Sequence, residues 1–281
     1  MIKGSYNNIN TVWLNTIEQL LYGGLESAPR DMKIKEVLGY KTVVNMKYPI
    51  LSVVKRKLGY KFMFREAWWI ISGKNTVREI KDFSKNIANF SNDGHYFDGA
   101  YGPRIVDQLR YIVDCLYNDN DTRQAVMEIW RPNPRDSKDI PCTINIQWLI
   151  RDGKIHCIDT MRSSDIWLGW PYDIFNFSML TGYILLLLKD RGMENIELGN
   201  IHLNAGSQHL YLSNIDAVSE VLKDVHENES PCFFTTEEFN PHLFGNAQEL
   251  LDCLELCSNM ERPVNYFMEV LHERQTEQEE E

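Results

Sequence analysis

The chain has 281 residues, 43% hydrophobic and 25% charged, a globular composition long enough for one large domain or two small ones. Its net charge of −11 argues against generic nucleic-acid binding, which needs a positive field around the phosphates, so an anionic ligand would need a local arginine cluster. No Gly/Ser/Pro-rich linker or repeat divides it, and residues 1–281 read as a single domain with an acidic tail from about residue 275.

The first ten residues lack the charged-then-apolar pattern of a leader, so a cytoplasmic protein is expected. Asn10 to Tyr22 carries Val12, Leu14, Ile17, Leu20 and Leu21 at helical spacing, and Phe64 to Ser72 predicts a second, more buried helix. Lys41 to Asn45 and Gln124 to Ile129 predict strands. Thr143 to Ile150 and Lys154 to Met161 flank an Asp152-Gly153 turn and predict an antiparallel hairpin. Asp173 to Leu188 predicts a long apolar helix. Its run Ile184 to Leu188, stopped by Lys189-Asp190-Arg191, falls short of the ~20 residues of a membrane span. Asn200 to Ala205 predicts another strand, and Asn214 to Val225 an amphipathic helix. Cys253 and Cys257, one turn apart, read as helix core rather than ligands. The terminal Glu277 to Glu281 reads as a solvated, mobile tail. Helices and strands mix without strict βαβ alternation, so the class is α+β. Cys115, Cys142, Cys157, Cys232, Cys253 and Cys257 lack CxxC spacing and read as reduced thiols, with no metal site expected.

Chemistry-bearing residues concentrate between Ile140 and Phe177, in Pro141-Cys142-Thr143, Arg162-Ser163-Ser164-Asp165 and Leu168-Gly169-Trp170-Pro171-Tyr172-Asp173. Cys142 alone would suit a small core position, but the hairpin returns the chain to Arg162, and a guanidinium beside a thiol favours the thiolate. Arg162 alone would suit a surface salt bridge. Glu66 lies in an apolar helix, where a carboxylate is costly unless Arg65 or solvent satisfies it and where desolvation raises its pKa. His209 and Tyr211 alternate on a strand and share a face. Asp173 reads either as a base reader or as a cap for the helix that follows.

These motifs resemble the thymidylate synthase family, in which Pro-Cys and Arg-Ser-x-Asp...Leu-Gly-x-Pro-x-Asn segments surround a pyrimidine nucleotide. Asp173 stands at the Asn position, so within the family the chain resembles the phage deoxycytidylate hydroxymethylases. The resemblance implies a three-layer domain with a mixed or antiparallel sheet packed against helices, and a homodimer formed through the sheet. It implies that Cys142 adds to C6 of the ring, that Glu66 organises water and proton transfers, and that Tyr101, in Gly99-Ala100-Tyr101-Gly102-Pro103, assists proton removal from C5. Arg30, Arg162 and Ser163 would bind the phosphate, with Arg123 reaching in from the other subunit. His209 and Tyr211 would hold the 3′-hydroxyl, and Asp165 and Gly169 would contact folate. Ile87 and Phe90 align where synthases carry tryptophans. Departures are Gln124 for a second arginine, Ala205-Gly206-Ser207 for Gly-Gly-Asp, and Thr143 for a histidine.

An ionised Asp173 would accept from the 4-amino group of cytosine and face O4 of uracil lone pair to lone pair. Ile87, Thr143 and the acidic terminus favour water over hydride as the final reactant. The expected reaction therefore converts dCMP to 5-hydroxymethyl-dCMP with 5,10-methylenetetrahydrofolate as co-substrate, without metal, nucleic acid or membrane. Hydride transfer to 5-methyl-dCMP, CMP as substrate, and a noncatalytic nucleotide-binding subunit stay open.

Overall fold

The protein is described here by a computed structural model covering residues 7–133, 136–227 and 233–280; Cys232 and Glu281 of the expectations above lie outside the described residues. Asn8 starts helix α1 (Ile9–Gly23) by accepting from the amides of Asn10 and Thr11 at 3.0 and 3.2 Å. Its apolar side, with Trp13, Leu14 and Ile17 buried, packs on strand β2 (Ile34–Asn45), which pairs with β1 (Leu25–Ser27). Helix α2 (Tyr60–Ile71) ends where Gly73 takes a left-handed backbone, φ 75°. Helix α3 (Gly102–Asn118) follows, then β3 (Val126–Glu128), the hairpin β4 (Thr143–Arg151) and β5 (Lys154–Met161), and the two-residue β6 (Ser164–Asp165). Helix α4 (Trp170–Lys189) crosses to β7 (Glu197–Tyr211), and α5 (Ile215–Glu227), α6 (Ala247–Asn259) and α7 (Pro263–Glu280) complete the chain.

The strands form one sheet in the order β1-β2-β7-β5-β4-β3, with β6 pairing β7. Pairs β5–β7 and β6–β7 are parallel and the others antiparallel, so the sheet is mixed and the class α+β. Alternation gives its two faces different fates. Trp148, Cys157, Ile201 and Val44 line up across four strands and are buried under the helices, α4 foremost. The neighbouring row, Gln147, Ile158, His202 and Val43, lies on the other face and is only half-buried. Helix α4 is 20 residues long, enough by length and composition to cross a membrane, but 78% of its apolar window is buried inside the fold, which makes it the core helix. Outside it pack α2, α6 and α7, so the layers run sheet, inner helix, outer helices.

Several elements differ from expectation. β2 begins at Ile34 rather than Lys41, and β7 runs over 197–211 rather than 200–205, because Glu36–His209 and its neighbours pair across strands despite their polarity. Helix α3 was not among the expected elements; its proline sits in the first helical turn, where its missing N–H costs nothing. Residues 275–279 of the acidic terminus are exposed, and the helix continues through Glu280. Glu, Gln and Arg are strong helix formers, and Gln275 Nε2 bonds Glu279 one turn on, at 3.2 Å. Five cysteines are free thiols among the described residues, and Cys253 and Cys257 are buried in α6.

The start of α3 is packed onto the end of α2 without room for a side chain: a Cβ on Gly102 would lie 2.5 Å from the Lys74 carbonyl oxygen and 2.8 Å from the Gly73 carbonyl carbon. Gly102→Ala should therefore cost about 1–3 kcal/mol, read as a lower urea midpoint at an unchanged denaturant slope.

Candidate active site

The hairpin sets Cys142 against Arg162: the Arg162 amide donates to the Cys142 carbonyl at 2.8 Å. The Arg162 guanidinium is held by the same segment, Nε on the Pro141 carbonyl at 2.9 Å and Nη2 on the Ile140 carbonyl at 3.0 Å, with Nη2 3.7 Å from the Cys142 sulfur. Burial nevertheless pushes the Cys142 thiol up. Arg162 and the more distant Arg30 pull it down, Asp173 and Asp139 push it further, and desolvation wins. A thiolate favoured by Arg162 is thus not what the free site holds.

Tyr101 joins the nucleophile to a cavity. Its phenolic oxygen accepts from the amides of Cys142 at 3.3 Å and Thr143 at 3.1 Å, which leaves its own hydrogen to donate. Its ring lies parallel to Phe177 at 6.3 Å. The cavity encloses about 180 Å³, with carboxyl groups of Glu66, Asp139 and Asp173, the Asn176 amide, and apolar walls that include Ile87 and Phe90.

Asp173 lies in the first turn of α4 but does not cap it: among the described residues its carboxyl makes no hydrogen bond, and Gly169 is the N-cap without a side-chain bond. Burial pushes this carboxyl well above the usual range, and the neighbouring Glu66 and Asp165 add to the shift. Burial and the neighbouring carboxyls thus favour the neutral acid at Asp173 over the ionised form considered from the sequence. Glu66 accepts from Asn176 Nδ2 at 2.8 Å. Burial pushes it up to about 7 against the pull of that bond. Arg65 does not serve it: its guanidinium bonds the Glu79 carbonyl at 2.8 Å and Glu255 at 3.3 Å and lies over Trp68.

The other expected residues lie around this centre. Pairing of β6 with β7 brings Ser163 Oγ to 3.5 Å from His209 Nδ1, and His209 meets Tyr211 edge-on at 5.2 Å. Asp165 Oδ1 accepts from the amides of Trp167 and Leu168 at 2.8 and 2.9 Å, while its Oδ2 is buried and unpaired. Neither Asp165 nor Gly169 lines the cavity. Arg30 is exposed in a left-handed turn, φ 53°, and Arg123 is exposed ahead of β3, where its carbonyl accepts from Gln147 at 2.8 Å. Neither lines the cavity.

Sequence reasoning missed Asn176, Trp69 and Asp139. Asn176 follows Asp173 by three residues and Trp69 follows Glu66 by three, so helical spacing could have found both. Trp69 is fixed in the wall by its Nε1 bond to the Thr76 carbonyl at 3.2 Å and an edge-on contact with Phe97 at 5.6 Å. Asp139, which accepts from the Gly99 amide at 2.7 Å, sits in irregular chain with no local signal.

A family model described as Thymidylate synthase matches residues 11–244. Among curated relatives, the Deoxyuridylate hydroxymethyltransferase of Bacillus phage SP01 is 27% identical over 271 residues, covering 85% of this chain and 69% of that protein. Thymidylate synthase 1 of Bacillus amyloliquefaciens is 28% identical over 188 residues (61% and 77%), and the thymidylate synthase of Coxiella burnetii 25% over 223 (75% and 82%). With the match spanning the sheet, α4 and every residue of the cavity wall, the chain belongs to the thymidylate synthase family, whose members transfer one-carbon groups from folate to C5 of a pyrimidine nucleotide.

Proposed function

We propose that the protein is a deoxycytidylate 5-hydroxymethyltransferase that uses 5,10-methylenetetrahydrofolate as co-substrate. The observation that carries this reading is the uncapped Asp173 carboxyl buried in the cavity wall, where exclusion of water favours its acid form. An asparagine amide held with its carbonyl toward N3–H and its NH2 toward O4 matches uracil, and in that orientation it mismatches cytosine. A neutral acid at that position donates its O–H to N3 of cytosine and accepts from the 4-amino group. N3 of cytosine is more basic than O4 of uracil, so the acid–cytosine pair gains more as the proton moves toward the ring.

In this reading the Cys142 thiol gives its proton to water as its sulfur adds to C6, and Asp173 gives its proton to N3 as electrons move into the ring, both protons returning when the sulfur finally leaves. C5 then attacks the methylene carbon of the co-substrate, the C5 proton leaves through the Tyr101 side, and tetrahydrofolate departs. Water adds to the exocyclic methylene and the sulfur is expelled from C6. Glu66, acid and base both accessible near neutrality, moves the protons that water requires. Arg30, Arg162 and Ser163 bind the phosphate, His209 and Tyr211 the 3′-hydroxyl, and Asp165, Gly169, Ile87 and Phe90 the folate. Two features favour water over hydride: the activity named for the phage relative and Ile87 in the wall. The half-buried sheet face supports a homodimer through which Arg123 joins the partner's phosphate site.

Incubation with methylenetetrahydrofolate and dCMP, CMP or dUMP tests the assignment. Mass spectrometry should find a hydroxymethyl group on dCMP without dihydrofolate absorbance, and equal consumption of dUMP would sink it. Asp173→Asn should lower kcat/KM for dCMP by about 10²- to 10⁴-fold while raising use of dUMP, because an amide reads cytosine only by turning over and, unlike the acid, has no proton to give N3 as the ring is attacked.

A pH test follows from the sign of the Asp173 shift. Its raised pKa keeps the proton on well past the ordinary carboxylate range, and that proton is lost as pH rises through the raised value. Affinity of Cys142→Ser protein for dCMP, measured by calorimetry, should therefore weaken on that alkaline limb. The same titration of Cys142→Ser/Asp173→Asn protein, which keeps any contribution of phosphate ionisation, should lack it.

A further inference from the structure

Asn176 is a buried amide with one end used and one end orphaned. It is 2% exposed, one turn beyond Asp173 on α4, and it borders the same cavity as Glu66. Its Nδ2 donates to Glu66 Oε2 at 2.8 Å, whereas its Oδ1 is buried without any partner. An orphaned buried acceptor is costly, and a leucine of similar volume would avoid that cost. The hydrogen bond joins two helices at a separation of 110 residues, so local capping or turn chemistry does not account for it.

We propose that Asn176 is a positioning residue that serves both protonation states of Glu66 by rotating its amide: Nδ2 donates to the carboxylate, and after a half-turn Oδ1 accepts from the carboxylic acid. Each orientation leaves one amide end unpaired, so the exchange keeps the number of hydrogen bonds constant. Glu66 can then gain or lose a proton without losing its anchor on α4. A donor-only side chain would reach the acid solely through its carbonyl oxygen and leave the O–H without this partner, and a leucine would meet neither state. The position of Glu66 at about 7 gives the rotation a purpose, since both states are populated at neutral pH. The catalytic consequence rests on the reading of Glu66 as the proton carrier; the coupling between the two side chains does not.

The test is a titration of the Glu66 carboxyl by 13C NMR in protein labelled at the glutamate Cδ, with the signal assigned by its disappearance in Glu66→Gln. Asn176→Leu should move the midpoint upward by about one pH unit, because the charge-assisted Nδ2 bond to the carboxylate is stronger than the Oδ1 bond to the acid and losing both favours the acid. Asn176→Thr, whose hydroxyl both donates and accepts, should restore much of the shift. The limb near neutrality in kcat/KM for whichever nucleotide is turned over should move in parallel, and Glu66→Gln/Asn176→Leu should show no limb to move. An unmoved Glu66 midpoint in folded Asn176→Leu, or in folded Asn176→Thr if the leucine variant does not fold, would overturn the inference. So would a midpoint that Asn176→Thr leaves as high as leucine does. Turnover of dUMP in place of dCMP would overturn only the substrate assignment, since the NMR midpoint needs no turnover.

Discussion

Exclusion of water from a group of carboxyls is the constraint around which this site is built. Glu66, Asp139, Asp165 and Asp173 are all pushed toward the acid form, with burial the largest cause in each case. Behind them Asp159, fully buried on β5 with both oxygens unpaired, is pushed well up by burial and by Asp173. A charged carboxylate in such a place is prohibitively costly, whereas a neutral acid is tolerable and can both donate and accept. Arg104 pulls Asp139 down and Arg56 pulls Asp165 down, but burial outweighs both, while Arg162 is fixed beside Cys142 and Arg30 lies on an exposed turn. Packing thus separates the carboxyls from water strongly enough to outweigh the nearby cations.

The scaffold that enforces this separation is the core helix α4. It carries Asp173 and Asn176 toward the cavity and anchors itself to the sheet through polar contacts that its apolar sequence conceals. The Trp170 Nε1 donates to Thr42 Oγ1 at 3.0 Å, and Thr181 Oγ1 accepts from Trp148 Nε1 at 3.0 Å. The segment before it is clamped by α1, whose Trp13 Nε1 donates to the Ile166 carbonyl at 2.7 Å. Helices α6 and α7 brace α2 through Glu255 on Arg65 and Phe267 against Phe64, ring centroids 5.2 Å apart. The chain ends, which carry no recognisable chemical motif, thereby fix the helices that present Glu66 and the approach to Asp173.

Much of this was legible in the residues. The β4–β5 hairpin followed from alternation and its Asp152-Gly153 turn, both of whose residues have positive φ. Helices α1 and α4 followed from apolar spacing, and the family resemblance rested on short contiguous motifs. Less legible were the outer halves of β2 and β7, whose polar residues pair only because a partner strand lies alongside, and α3, whose opening Gly-Pro mimics a turn. Asp139 had no signal at all, since its place in the wall depends on the Gly99 amide, 40 residues away.

By itself the sequence determined which reactive groups the protein owns and the order in which local elements present them, because periodicity, turns and short motifs act over a few residues. Only the tertiary structure decided which protons those groups hold and what each one touches. Its burial favours the acid at Asp173 and the thiol at Cys142 despite Arg162, and it gives Glu66 an amide partner rather than Arg65. Proton affinity depends on excluded water and on charges contributed by distant segments, and those are properties of packing rather than of any stretch of chain.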